Sequence, residues 1–245
     1  GATLTINDSG STPIQFQQGS PSLTFDTLNL SNIANDNLDF SLVGDGDVNL
    51  DNVSVFDSNP NDGPAAASLL NVNIDGQLQI QGDVRNSVNA TGGISLTATD
   101  DIQILAGSTL ELTSTINAAI SIDSGQDVEI IDGSIQTNGG GDHSVVIDSG
   151  GAVTNSAGSA DSIVTTRLIV DAGLGIGDRE IPFNSQPLRT DIDSANLVVR
   201  NDGNIRILES DIIFIAQATT NNGLVQIEAG STIIANQITA GENEI

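Results

Sequence analysis

Carboxylates are the side chains through which this sequence could do chemistry. Thirty-two Asp and Glu residues stand against six Arg, one His and no Lys, for a formal net charge of -26, and there is no Cys. Asp45 with Asp47, Asp100 with Asp101, and Asp191 with Asp193 are close pairs, and two carboxyl groups at a suitable separation are what glycoside hydrolysis requires. Asp is also a preferred turn residue, and these pairs read as turn residues between short strands. Elimination on acidic sugars needs a strong base, for which six Arg and no Lys are a poor supply. Trp and Tyr, the usual sugar-stacking platforms, are absent.

A second use of acids is calcium binding. Turn carboxylates stacked on one another can converge on a hard cation without a dedicated loop motif. Asp45, Asp47 and Asp51 form one candidate group and Asp100, Asp101 and Asp127 another. Neither an EF-hand loop nor the glycine-rich nonapeptide of calcium-binding β-rolls is present, so no cofactor other than calcium is expected. His143 follows Gly139-Gly140-Gly141-Asp142. With no Cys and no second His it makes no transition-metal site, and it reads as a solvent-facing turn residue. Gly173-Leu174-Gly175-Ile176-Gly177-Asp178 has the look of a phosphate-cradling loop, but Pro182 breaks the helix such a loop must open. Catalytic residues are therefore not assigned, and the chain is not expected to be an enzyme.

The elements that would position these residues are short. Ile94-Ser95-Leu96, Ile102-Gln103-Ile104, Leu110-Glu111-Leu112, Ile120-Ser121-Ile122 and Val128-Glu129-Ile130 each put two aliphatic residues on one side and a polar one on the other. That is period-two strand patterning, and Gly, Asn, Asp and Ser separate the bursts. The bursts themselves recur. Ile94-Ser95-Leu96 returns as Ile120-Ser121-Ile122, and Ile102-Gln103-Ile104 as Val128-Glu129-Ile130, both 26 positions on. A third copy starts near Val145. Later, Leu197-Val198-Val199 and Ile205-Arg206-Ile207 are echoed by Leu224-Val225-Gln226 and Ser231-Thr232-Ile233, which implies a spacing of about 27.

About 26 residues with three strands and three turns is one coil of a three-faced solenoid. The fold expected is all-β, a right-handed single-stranded parallel β-helix. An antiparallel sandwich also spaces short strands at such intervals, but has no reason to copy a burst at every third strand. Regular coils are expected over residues 70–245, with a loop excursion near 173–191, and less regular coils or a junction over 1–69. A second turn-rich excursion is expected from Asp57 to Ala67. The core must be built from Ile, Leu, Val and Ala, since Phe is the sole aromatic type and Met is absent.

Gly92-Gly93-Ile94-Ser95-Leu96-Thr97-Ala98, Ile104-Leu105-Ala106-Gly107-Ser108-Thr109-Leu110 and Leu224-Val225-Gln226-Ile227-Glu228-Ala229-Gly230-Ser231-Thr232-Ile233 resemble the β-helical repeat regions of large bacterial exoproteins of the filamentous-haemagglutinin type. The resemblance covers residues 70 to 245. It implies secretion, display at the cell surface or release as a fibre, and a role in adhesion or cell-cell contact. Asn59-Pro60-Asn61 matches short motifs of that family's secretion domain only superficially, and no role is carried over from it. Charge excludes nucleic acid as a partner, and no apolar run is long enough to insert into a membrane. The partners expected are further coils, through coil ends or flanking repeats of the same polypeptide, and surface glycans or receptors on host or neighbouring cells. The alternative function is a β-helical polysaccharide-processing enzyme or carbohydrate-binding module.

Overall fold

The computed structural model describes residues 3–8, 14–25, 27–32, 38–57, 67–156, 160–177 and 186–241, with side-chain surroundings from residue 40 onward except at 45, 57 and 67. Twenty-four strands lie in one sheet, every strand pairs in parallel with its neighbours, and no helix occurs among the described residues. The chain is a parallel β-helix of three faces, called here A, B and C.

Face A shows why the sequence folds this way. Ala67–Asp75, Thr91–Ala98, Ala119–Ser124 and Ser144–Ser149 pair in register, so that Leu70, Ile94, Ile120 and Val145 stand one above the next. Leu168, Ala195 and Ile215 continue the column. None of the seven is more than 3 % exposed. A parallel column of Val72, Leu96, Ile122, Ile147, Val170, Leu197 and Ala218 lies two residues along. Alternation sends Ser95 and Ser121 outward and their neighbours inward. Each inward aliphatic side chain contributes roughly 1.5–3 kcal/mol of burial that a lone coil could not capture.

Face B stacks Val48, Leu78, Ile102, Val128 and Val153. Face C stacks Val53, Val84, Leu110, Ile135 and Ile163. The 26-residue offset between Ile94 and Ile120, and between Ile102 and Val128, is therefore a physical stacking distance. The ladder also includes the strands Thr3–Asp8 and Ile14–Phe25, paired with Thr27–Asn32 and Leu38–Leu50.

Three expectations need correction. The coils at the far end are shorter than the sequence echo implies: Leu197 lies against Ala218, Ile205 against Val225 and Ile213 against Ile233, at offsets of 20 or 21 rather than 27. The cause is a merger of faces. In the central coils Val128–Ile131 and Ser134–Asn138 are separate strands around a turn at Asp132-Gly133, where Asp132 has φ 52°. In the later coil the single strand Ile205–Glu209 pairs with Ile176 of face B and with Leu188–Thr190 of face C, so the intervening turn is lost. The helix narrows there.

Within the excursion expected over 173–191, Gly175–Ile176 and the start of Leu188–Asp202 are instead strands of the coils. Pro182 and Arg179 lie outside the described residues, as do residues 58–66 with Asn59-Pro60-Asn61. The third correction concerns the acid pairs. Asp47 lies within the strand Leu38–Leu50, and Asp191 and Asp193 lie within Leu188–Asp202, not between strands.

Candidate functional site

At the corner between faces A and B the chain turns the same way in successive coils, and this corner collects four of the calcium candidates. Asp47, Asp100, Asp101 and Asp127 line one open depression of about 500 Å³ together with Gln77 and Gln126. Three of the carboxylates already have partners there. Asp47 Oδ1 accepts the Gln77 N–H at 3.1 Å, Asp101 Oδ1 accepts Asp127 N–H at 3.0 Å, and Asp127 Oδ1 accepts Ala152 N–H at 2.8 Å. Each bond crosses from one coil to the next. The same device recurs with Asn: Asn204 Oδ1 takes Leu224 N–H at 2.8 Å, Asn89 Oδ1 takes Thr115 N–H at 2.9 Å and Asn117 Oδ1 takes Asp142 N–H at 3.0 Å. Turn amides that the sheet leaves over are thus satisfied by the coil below. Asp51 does not join this group, its Oδ1 instead accepting from Asn52 Nδ2 at 3.2 Å. The side chain of Asp45 lies outside the described residues.

His143 is not the solvent-facing turn residue expected. It is 2 % exposed. Its Nε2 donates to the Ser114 carbonyl at 2.8 Å, which leaves Nδ1 to accept Ala118 N–H at 3.3 Å. The ring ties the turn after face C to the corresponding turn one coil below, beside a small cavity of about 200 Å³ lined also by Asp142, Thr166, Arg167 and Ser194. Replacing His143 with Leu strands a buried donor and a buried acceptor, and is expected to lower unfolding free energy by about 2–4 kcal/mol. Urea denaturation followed by circular dichroism measures this, and a loss under about 1 kcal/mol would show the ring to be dispensable.

The most unusual group is one the sequence reading passed over. Face C continues from Ile163 through Thr190 to Glu209, so a carboxyl group occupies a core column and is 2 % exposed. Thr190 Oγ1 donates to Glu209 Oε2 at 2.6 Å; Ile192 N–H and Ser210 N–H donate to Oε1 at 3.2 and 3.0 Å. Burial pushes the Glu209 carboxyl above its ordinary range, and those hydrogen bonds only partly offset it. Asp191 and Asp211, both exposed, bring carboxylate oxygens within 4.8 Å of it. Nearby, Asp161 is also raised, first by burial and then by the charge of Asp191, with Arg189 acting in the opposite direction. The signal was present in the sequence: Ile205, Ile207 and Glu209 alternate, so period two places Glu209 inward.

Asp191 and Asp193 point outward on either side of buried Ile192, and Asp101 is engaged as a cap. Gly175 and Ile176 of the glycine-rich stretch are buried in a two-residue strand, with no helix following among the described residues. Comparison with protein-family models, with curated proteins and with solved structures finds no match to this chain.

Proposed function

We propose that the chain is a structural and adhesive module of a secreted or cell-surface repeat protein, acting as a rigid rod in surface attachment, cell-cell contact or fibre assembly. The observation that carries this reading is that its polar groups are spent on holding coil to coil. Outward on face B, Gln79 Nε2 donates to Gln103 Oε1 at 2.8 Å and Gln103 Nε2 to Glu129 Oε2 at 2.7 Å. On face A, Arg200 reaches Asp148 at 2.9 Å and Asp171 at 3.4 Å, joining three coils. These exposed ion pairs are worth little singly, but with the Asx caps they make side-chain ladders along the rod. A chain whose acids serve as caps and ladder rungs is built for stiffness.

Contact with further coils follows from the narrow end. Ile233 and Ile238 stand in register with buried Ile213 and Ala218, yet are 41 % and 50 % exposed. A strand edge with aliphatic side chains invites another strand. The same surface serves self-association and the packing of flanking repeats. The expected result in light scattering is a mass above 25.1 kDa that rises with concentration. It should rise further as salt screens the charge of -26, and fall in an Ile233→Asp, Ile238→Asp variant. A 25.1 kDa particle at every concentration and salt level would contradict the proposal.

A further inference from the structure

We propose that the step from wide to narrow coils is a proton-operated clamp: Glu209 in its neutral form locks residues 205–241 onto the three-faced body, and its ionisation beside Asp191 and Asp211 loosens them. The geometry rests on position. Glu209 continues the column of Leu110, Ile135, Ile163 and Thr190, where every other coil places an aliphatic or hydroxyl side chain. It also lies in the strand that merges two faces, one of the two strands by which the narrow coils join the body: Ile205–Glu209 pairs with Ile176 and Leu188–Thr190, and Ile213–Asn222 pairs with Ser194–Asp202. A charge at this point sits in the joint itself.

Burial favours the proton, and the charged groups on the neighbouring elements are these. The strand Leu188–Asp202 carries Arg189, Asp191 and Asp193; the turn before the Ile163 strand carries Asp161; the turn after Glu209 carries Asp211. Arg206 lies on the same strand as Glu209, and Glu228 lies on the strand above. Of these, Asp191 and Asp211 bring carboxylate oxygens within 4.8 Å of Glu209, while Arg189, Asp193 and Arg206 lie at outward positions of their strands. Thr190 Oγ1, Ile192 N–H and Ser210 N–H supply donors, which soften the cost of ionisation without supplying a counter-charge.

The direction of the pH effect follows from linkage. Burial makes Glu209 hold its proton more tightly in the folded chain than in the unfolded one. Its contribution to stability is therefore fully present below the ordinary glutamate value and is lost as pH rises through the raised one. Acidification should tighten the narrow coils, opposite to the usual behaviour of a salt-bridged carboxylate.

Amide hydrogen exchange of the full chain tests this from about pH 4 to about pH 7, with rates corrected for intrinsic chemistry and residues 94–156 as internal reference. Protection of residues 205–241 should fall with rising pH more steeply than the reference. Glu209→Gln keeps the shape and removes the charge; it should raise protection of that segment near pH 7 at least severalfold and abolish the excess slope. Equal pH dependence in the two segments of the unaltered chain would overturn the proposal whether or not the variant folds. So would a Glu209→Gln variant that keeps the slope, or a slope removed by Asp191→Asn and Asp211→Asn but not by Glu209→Gln. Protection near neutral pH that appears with added calcium and disappears with chelator would also overturn it, because a cation would then be doing the work assigned to the proton.

Discussion

Ile120→Asp is expected to destroy the cooperative unfolding of the central coils, whereas Ser121→Asp, the next residue of the same strand, should change stability by less than about 0.5 kcal/mol. Ile120 is fully buried between Ile94 below and Val145 above. Its inward neighbours Ile122, Leu96 and Ile147 offer no cation and no hydrogen-bond donor. A carboxylate there must either be buried unpaired or take up a proton and lose its water, which costs on the order of 4 kcal/mol or more. In a solenoid each coil is stabilised by contact with its neighbours, so the loss severs the rod at that point. Ser121 is half-exposed on the outer surface between Ser95 and Val146, where an acid can stay hydrated. The pair of variants reads the register directly, because a one-residue slip would reverse their order. Urea denaturation monitored by circular dichroism separates the two.

The second large effect is expected from Gly150→Val. At the corner between faces A and B, Gly125, Gly150 and Gly173 stack on successive coils. A Cβ on Gly150 would come 2.1 Å from the Gly125 carbonyl oxygen, and one on Gly173 would come 1.9 Å from the oxygen of Gly150. The obstacle is backbone, held in place by Gly150 N–H to Ser124 O and Gly173 N–H to Ser149 O, both 2.8 Å. Relief requires the turns to move apart and give up these bonds, so the variant should lose on the order of 3–5 kcal/mol. Gly140 is the useful contrast, since a Cβ there meets nothing within 4 Å although its φ is +89°. Gly140→Ala should cost only the backbone strain of a left-handed alanine, roughly 1–2 kcal/mol. Equal costs at the two positions would show that close approach is not what selects glycine at the corner.

The central coils were legible because their turns keep a constant length. Ile94 and Ile120 are separated by the same three strands and three corners as Ile102 and Val128, so the offset in sequence is the offset in space. The narrow coils were misread for a related reason. Leu197-Val198-Val199 and Leu224-Val225-Gln226 match in hydrophobicity, but when two faces merge into Ile205–Glu209 a turn disappears, and Leu197 then falls against Ala218. Alternation alone reports which side of a strand a residue occupies and does not report which strand lies beneath it.

The acids were legible in kind and only partly in place. Asp47, Asp101, Asp127 and Asn204 each immediately precede an aliphatic burst, at Val48, Ile102, Val128 and Ile205. That shared position is the sequence trace of the cap each makes with the next coil. Three of these residues are the calcium candidates Asp47, Asp101 and Asp127, and their inter-coil hydrogen bonds give them a structural role as caps. His143 was beyond reach of the pattern, because its burial depends on how one glycine-rich turn packs on the turn holding Ser114 and Ala118. Glu209 was within reach, since the rule that placed Ile205 and Ile207 inside also places Glu209 there.

All of this depends on equivalent residues lying over one another in successive parallel coils. The native chain has no Cys, so spin labels can be attached cleanly through Asn71→Cys and Ile169→Cys, two outward positions of one column joined through Ser95, Ser121 and Val146. Four parallel steps of about 4.8 Å place the two backbones about 19 Å apart, and a narrow distance distribution near that value in pulsed electron resonance is the predicted result. A broad distribution, or one centred beyond about 30 Å, would contradict the stacked coil.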